Sequence, residues 1–193
     1  MDIAAVFLDR DGVINEEVDY LSDPKDLQLI KGVPAAIRRL NEQKIPVIVI
    51  TNQAGVARGY YAESQVEVLH EALVKELARN GAHIDRFYYC PHHPDGRGEY
   101  KKACDCRKPA PGLLRLAAHE MKLDLSHCVM IGDKASDIGA GVAVGARTIL
   151  VMTGYGAKEW SSWRESFQPT HVAPDLGRAV DWLLRESDFS PIV

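Results

Sequence analysis

One stretch limits what this chain can fold into more than any other. Residues 4–13, Ala-Ala-Val-Phe-Leu-Asp-Arg-Asp-Gly-Val, run through five apolar side chains straight into two acids one residue apart. A run that is apolar at every position suits a strand covered on both faces, as in a parallel sheet between helices. Gly12 then lets the backbone turn sharply. Asp9 and Asp11 would thus project from the carboxyl end of a parallel strand, the edge where open α/β sheets bind ligands. A calcium loop opening at Asp9 would need glycine at its sixth position, where this chain has Ile14, and a helix rather than a strand in front. A polar turn after a strand is the other reading, because Asp and Gly are common turn formers. The stretch alone does not separate that turn from a site.

The rest of the chain alternates strand and helix signals. Val33, Ile37 and Leu40 recur at helical spacing, with Pro34 suited to a first turn. Residues 46–51 form a β-branched run that predicts a second buried strand ending in Thr51-Asn52-Gln53. Residues 54–61, with Gly55 and Gly59, read as a loop, and Val66, Leu69, Leu73 and Leu77 as the core side of a long helix. A short strand at residues 86–90 is followed by residues 91–111, nearly devoid of apolar side chains and too long for a routine connection. A helix over residues 112–121 precedes a strand at 128–131 that stops at Gly132-Asp133. A helix through residues 138–144, a strand at 148–151, an edge strand near His171-Val172 and a closing helix with Val180, Leu183 and Leu184 complete the pattern. Trp160, Trp163 and Trp182 read as packing residues.

This rhythm predicts an α/β protein: a doubly wound parallel sheet, Rossmann-like, with helices on both faces and no large cap domain. Its 193 residues suit a single domain over 1–193. The net charge of −4, with no basic run or basic helix face, points away from nucleic acid and anionic membrane as partners. No stretch has the length of a membrane span, and no basic and apolar leader precedes the first strand, so the expected compartment is the cytoplasm. No cap signal appears, and the expectation is a monomer with an open site.

Three strand ends therefore deliver polar residues to one edge: Asp9 with Asp11, then Thr51, then Asp133 with Asp137 four residues on. Turn chemistry accounts for one such end well and for three badly. In their order along the chain, Leu8-Asp9-Arg10-Asp11-Gly12, Ile50-Thr51, Lys108 and Ile131-Gly132-Asp133-Lys134-Ala135-Ser136-Asp137 resemble the four motifs of the haloacid dehalogenase-like hydrolase superfamily. The resemblance implies phosphoryl transfer. Asp9 would be the nucleophile and Asp11 the general acid and base. Thr51 and the Asn52 amide would bind phosphoryl oxygens, and Lys108 would neutralise transition-state charge. Mg²⁺ would be held by Asp9, the Asp11 carbonyl and Asp133. Asp137 is open between orienting Lys108 or metal-bound water and simply placing an acid in the first turn of a helix.

A second cluster lies in the loop of about residues 90–107: Cys90-Pro91-His92, then Cys104-Asp105-Cys106. Three thiolates and an imidazole match a closed tetrahedral Zn²⁺ site, with free thiols as the alternative because the usual two-residue spacers are lacking. His93 competes with His92 as the fourth ligand. A metal there would staple a loop that runs directly into Arg107-Lys108. Cys128, in a predicted strand, reads as a buried apolar residue.

The strings Thr51-Asn52-Gln53-Ala54-Gly55-Val56-Ala57-Arg58-Gly59, Cys90-Pro91-His92-His93-Pro94 and Cys104-Asp105-Cys106-Arg107-Lys108-Pro109 are similar to the zinc-containing branch of that superfamily. The branch acts on heptose bisphosphates and on histidinol phosphate. The resemblance implies a cytoplasmic phosphatase whose partner is a small sugar bisphosphate, serving the supply of nucleotide-activated heptose, with histidinol phosphate as the alternative substrate. By the same analogy Glu17, Val18, Asp19, Tyr20, Asn52, Gln53, Ala54, Arg107 and Lys134 would line the substrate site. Arg58 is open between that role and a solvated loop arginine. A catalytically silent phospho-ligand binding module is the remote alternative, set against by the presence of both Asp9 and Asp11.

Overall fold

A computed structural model describes residues 3–188. Six parallel strands, β1 (Ala5–Leu8), β2 (Val47–Asn52), β3 (Arg86–Cys90), β4 (Cys128–Gly132), β5 (Arg147–Val151) and β6 (His171–Ala173), form one sheet in the order β3-β2-β1-β4-β5-β6. The chain winds outward from β1 to β3, then returns to the other side of β1 for β4. Strand order therefore reverses between β1 and β4, and a crevice opens there at the carboxyl ends. Leu8 is in register with both Val49 and Ile131. That register brings Asp9, Thr51 and Asp133 to nearly the same level along the sheet.

Continuous apolar strands still alternate sides. Val6 and Leu8 face one buried layer with Val33, Ile37 and Leu40 of α1 (Val33–Glu42), Leu73 and Leu77 of α3 (Glu63–Ala78), and Val180 and Leu183 of α7 (Leu176–Asp188). Ala5 and Phe7 face the other, with Leu113, Leu114 and Ala117 of α4 (Gly112–Met121) and Ala140 of α5 (Ala135–Val142). Both faces of β1 are sealed, and each fully buried aliphatic side chain is worth roughly 1.5–3 kcal/mol. Cys128 is fully buried in β4. Among the described residues no helix is long and apolar enough to cross a membrane.

Two local expectations are corrected. Residues 54–58 of the expected loop form a short helix, α2 (Ala54–Arg58), ended by Gly59 at φ 75°. Five residues are too few to show a helical period, so only the tertiary setting reveals it. The helix expected over 138–144 is α5, beginning at Ala135 and ending at Val142, because the Asp137 side chain accepts from the Lys134 N–H and caps its first turn. The tryptophans pack as expected of aromatics at the surface: Trp182 stacks on His171 at 4.4 Å, and Trp163 sits between Trp160 and Phe167 in a tail cluster that includes α6 (Gly156–Ser161).

One core residue makes stability depend on pH. His70 of α3 is buried, stacked on Phe87 at 4.5 Å, and its Nε2 has no partner. Burial, helped by the Arg10 charge, pushes it down to about 3. Above the unfolded value near 6.5 neither state holds the proton; below it only the unfolded chain does, so stability falls with pH until about 3. The loss should reach about 2 kcal/mol at pH 5. Urea unfolding of wild type and His70→Leu at pH 7 and pH 5 checks this: the variant should lose about 2 kcal/mol less between the two.

Candidate active site

The carboxylates of Asp9, Asp133 and Asp137 bring oxygens within 4.8 Å of one another, and all three residues are buried. Lys108, 3% exposed, lies among them. Its Nζ is 2.9 Å from Asp9 Oδ1 and 2.7 Å from Asp137 Oδ1, and donates to the Ile50 carbonyl at 2.6 Å. The ammonium thus lies within 3 Å of three protein oxygens, two of them on carboxylates. Burial alone would lower Lys108, but Asp137 and Asp9 reverse the effect and hold it above its usual value. Three carboxylates against this one ammonium leave excess negative charge in a medium that screens poorly. Burial and repulsion from Asp9 and Asp137 push Asp133 up to about 8. Burial likewise pushes Asp137 up to about 6 despite Lys108.

Asp133 Oδ2 accepts from the Tyr155 N–H at 2.8 Å, whereas its Oδ1 is buried with no partner. An orphaned carboxylate oxygen beside a second carboxylate is the donor set of a hard cation such as Mg²⁺. On the side of Oδ2 the backbone closes against the Asp133 carboxylate at two glycines with left-handed geometry, Gly12 (φ 83°) and Gly154 (φ 54°), where a Cβ would overlap that oxygen.

Asp11 faces elsewhere. Its carboxylate takes Arg10 Nη2 at 2.8 Å, Asn15 Nδ2 at 2.9 Å and Gln53 Nε2 at 3.2 Å. Burial would raise its proton affinity, but the Arg10 guanidinium and these hydrogen bonds outweigh burial and hold it below the usual carboxylate range. Thr51, 1% exposed, reaches the same cavity at the end of β2. Asn52 clasps the backbone of Lys108 in both directions, Nδ2 donating to its carbonyl at 3.0 Å and Oδ1 accepting its N–H at 3.1 Å. The Asn52 side chain therefore serves to place Lys108.

The loop leading into Lys108 gathers Cys90, His92, Cys104 and Cys106, whose donor atoms lie within 4.8 Å of one another. His92 presents Nδ1 at 3.3 Å from Cys106 Sγ, while His93 Nδ1 accepts from the Asp95 N–H; the cluster thus contains His92 and not His93. The cysteines are free, and the shortest sulfur separations, 3.0 Å, exceed any S–S bond. Burial and Lys102 lower His92, which keeps it neutral and able to donate a lone pair. A set of three sulfurs and one imidazole fits Zn²⁺.

At the carboxyl ends of the strands lies a cavity of about 280 Å³. Asp9, Asp11, Thr51 and Lys108 are in its wall, with Asn52, Gln53, Ala54, Arg107 and Lys134. Glu17, Asp19 and Tyr20 form the outer rim, whereas Val18 is 44% exposed and faces a neighbouring depression. Lys134 Nζ pairs with Glu17 Oε2 at 2.9 Å and lies 4.6 Å from the Tyr155 ring centre. Arg107 Nη1 donates to the His92 carbonyl, which joins the cysteine cluster to the cavity wall. Arg58, at the end of α2, lies against the Tyr20 ring and outside that wall.

Sequence reasoning missed several residues of this site, among them Arg10, Asn15, Tyr61 and Tyr155. Arg10 is 1% exposed, and its guanidinium pairs with Asp11. Tyr155 ties three parts together, since its N–H caps Asp133, its hydroxyl donates to Asp19 Oδ1 at 3.0 Å and its ring receives Lys134. The available signal was position: residues 152–155 follow β5 at the same sheet edge that carries Asp9 and Asp133.

Two family models match the chain, haloacid dehalogenase-like hydrolase over residues 6–82 and HAD-hydrolase-like over residues 105–179. A D-glycero-D-manno-heptose-1,7-bisphosphate 7-phosphatase of Thermosynechococcus vestitus is 44% identical over 93% of this chain and 94% of its own. The Escherichia coli D-glycero-beta-D-manno-heptose-1,7-bisphosphate 7-phosphatase is 39% identical over 94% and 88%. Among solved structures, the D,D-heptose 1,7-bisphosphate phosphatase of B. bronchiseptica, complexed with magnesium and phosphate, superposes with a TM-score of 0.86. It is 33% identical and covers 96% of this chain and 99% of that one.

Proposed function

The chain belongs to the haloacid dehalogenase-like hydrolases, within the family of the heptose-bisphosphate phosphatases, and from that premise we propose that it removes the 7-phosphate of D-glycero-D-manno-heptose 1,7-bisphosphate by way of a phosphoryl group carried on Asp9. The observation that carries this reading is the meeting of Asp9, Asp11, Thr51 and Lys108 in one cavity, in a chain 44% identical to a protein of that name.

Asp9, the Asp11 backbone carbonyl and Asp133 would hold Mg²⁺, which when bound offsets the negative charge of the carboxylates and of an arriving phosphate. Lys108 engages Asp9 through Oδ1, leaving Oδ2 with no protein hydrogen bond among the described residues. A carboxylate oxygen of Asp9 attacks phosphorus as the bond to the ester oxygen breaks, giving an aspartyl phosphate. Asp11 delivers a proton to the departing alkoxide. A phosphate dianion entering the cavity raises Asp11 by like-charge repulsion and so favours that protonated form. In the second half Asp11 takes a proton from water as the water oxygen attacks phosphorus. Inorganic phosphate leaves, and Asp9 is regenerated. The Arg10 and Gln53 contacts favour the ionised Asp11 that this second step needs. Lys108 lies against both Asp9 and the equatorial oxygens of a phosphoryl group there, and Thr51 donates to one of them.

The rim residues Glu17, Asp19, Tyr20 and Tyr155, with the cations Arg107 and Lys134, are proposed to receive the sugar and its other phosphate. Turnover of the heptose bisphosphate and of histidinol phosphate by the purified protein tests the assignment. A kcat/KM advantage of at least about 100-fold for the heptose substrate is expected, and a preference for histidinol phosphate would sink it.

We assign Zn²⁺ to Cys90, His92, Cys104 and Cys106, four ligands that leave no open position for chemistry. Zinc would then act by fixing Arg107 and Lys108. Stripping it with a chelator at saturating Mg²⁺ should release one zinc per chain by metal analysis. Activity should fall by roughly tenfold or more and the melting temperature should drop, because a loop with few apolar contacts loses its staple. Fully active protein without zinc would contradict the assignment.

A further inference from the structure

We propose that Gln53 is a positioning residue: its side chain touches no substrate atom but sets the direction in which Thr51 donates its hydroxyl hydrogen. Gln53 is 2% exposed. Its Nε2 donates to Thr51 Oγ1 at 2.9 Å and to Asp11 Oδ2 at 3.2 Å. Its Oε1 accepts from the Tyr61 hydroxyl at 2.9 Å and from Arg10 Nη2 at 3.3 Å. A carboxamide has two donor hydrogens and two acceptor lone pairs, so protein groups satisfy the whole inventory.

The amide orientation is forced. A guanidinium only donates and a carboxylate only accepts, so the oxygen must face Arg10 and the nitrogen must face Asp11. Thr51 lies on the nitrogen side and must accept there. The hydroxyl's own hydrogen is then directed away from Gln53, and Thr51 lines the cavity beside Asp9 and Lys108. A donor aimed in advance at a phosphoryl oxygen costs no reorganisation when that oxygen arrives. Tyr61 is itself seated by Gly55, where a Cβ would overlap the phenol ring. Tyr61 and Arg10 therefore act on Thr51 at one remove, through Gln53.

The inference rests on the phosphatase reading only in taking the group that Thr51 meets to be a phosphoryl group. Inorganic phosphate separates the two, because it carries no sugar. Its affinity in the presence of Mg²⁺ is measured by calorimetry for wild type, Gln53→Met, Thr51→Val and the double variant, alongside kcat and KM for the heptose bisphosphate. Gln53→Met should weaken phosphate about five- to tenfold, the size of one hydrogen bond, with a kcat loss of similar size and KM within about twofold. The double variant should bind phosphate no more weakly than Thr51→Val, since the amide acts through the hydroxyl. Full phosphate affinity in Gln53→Met with a raised KM would make Gln53 a sugar contact and overturn the proposal. So would losses that multiply in the double variant. If Gln53→Met does not fold, Tyr61→Phe decides: it should weaken phosphate about threefold, and not on the Thr51→Val background, and unchanged affinity overturns the proposal. If the wild type binds phosphate with this coupling but hydrolyses no phosphomonoester, the phosphatase reading falls and the role of Gln53 stands.

Discussion

An Asp9→Asn protein is expected to fold with at least wild-type stability and to lose turnover by about 10⁴-fold or more. An amide has almost the same shape as a carboxylate, but its oxygen is a poor nucleophile and cannot form the aspartyl phosphate. The stability follows from charge. Asp9 is one of three buried carboxylates around Lys108, and its repulsion helps to push Asp133 and Asp137 up. Neutralising Asp9 relieves that repulsion, while Lys108 keeps Asp137 and the Ile50 carbonyl. Steady-state kinetics and thermal unfolding check the two halves separately. Residual activity above the stated loss would refute the covalent route.

Lys108→Met should damage stability and catalysis together. Removing the cation leaves Asp9 and Asp137 buried beside Asp133 without the ammonium they pair with, and breaking a buried ion pair from one side costs about 3–5 kcal/mol. For a chain of this length that is roughly 6–20 °C in melting temperature. Turnover should fall by about 10³-fold, since Lys108 offers its charge to the phosphoryl group. The decisive control is Lys108→Met combined with Asp137→Asn, which removes one of the stranded carboxylates. Chemical denaturation should recover part of the lost stability, whereas activity should stay low. A single variant as stable as wild type would mean that the carboxylates are already protonated and that Lys108 does not pair with them.

Much of the architecture was legible because burial on both faces writes itself into composition. Residues 4–8 and 46–50 are apolar throughout, and no short amphipathic element looks like that. The helices α1 and α3 announced themselves through apolar positions three and four apart. Helix α2 did not, since five residues show no period, and the start of α5 depended on Asp137 turning back to the Lys134 N–H. Tyr61 and Tyr155 were invisible because a tyrosine between loops carries no signal of the residue it will reach.

By itself the sequence determined the parallel α/β class, the sheet edge where polar residues accumulate and the identities of the acids, the threonine and the lysine that meet there. Those follow from local rules: apolar runs bury, and chains turn at glycine. Only the tertiary structure decided how apparently equivalent residues divide their work. Asp9 faces Lys108 and Asp133, while Asp11, two residues away, is held by Arg10, Asn15 and Gln53. Asp137 both caps α5 and grips Lys108, and His92 rather than His93 joins the cysteines. Each outcome depends on partners distant in sequence, and hydrogen bonds and charge pairing act over a few ångströms of space, a distance that sequence spacing does not encode.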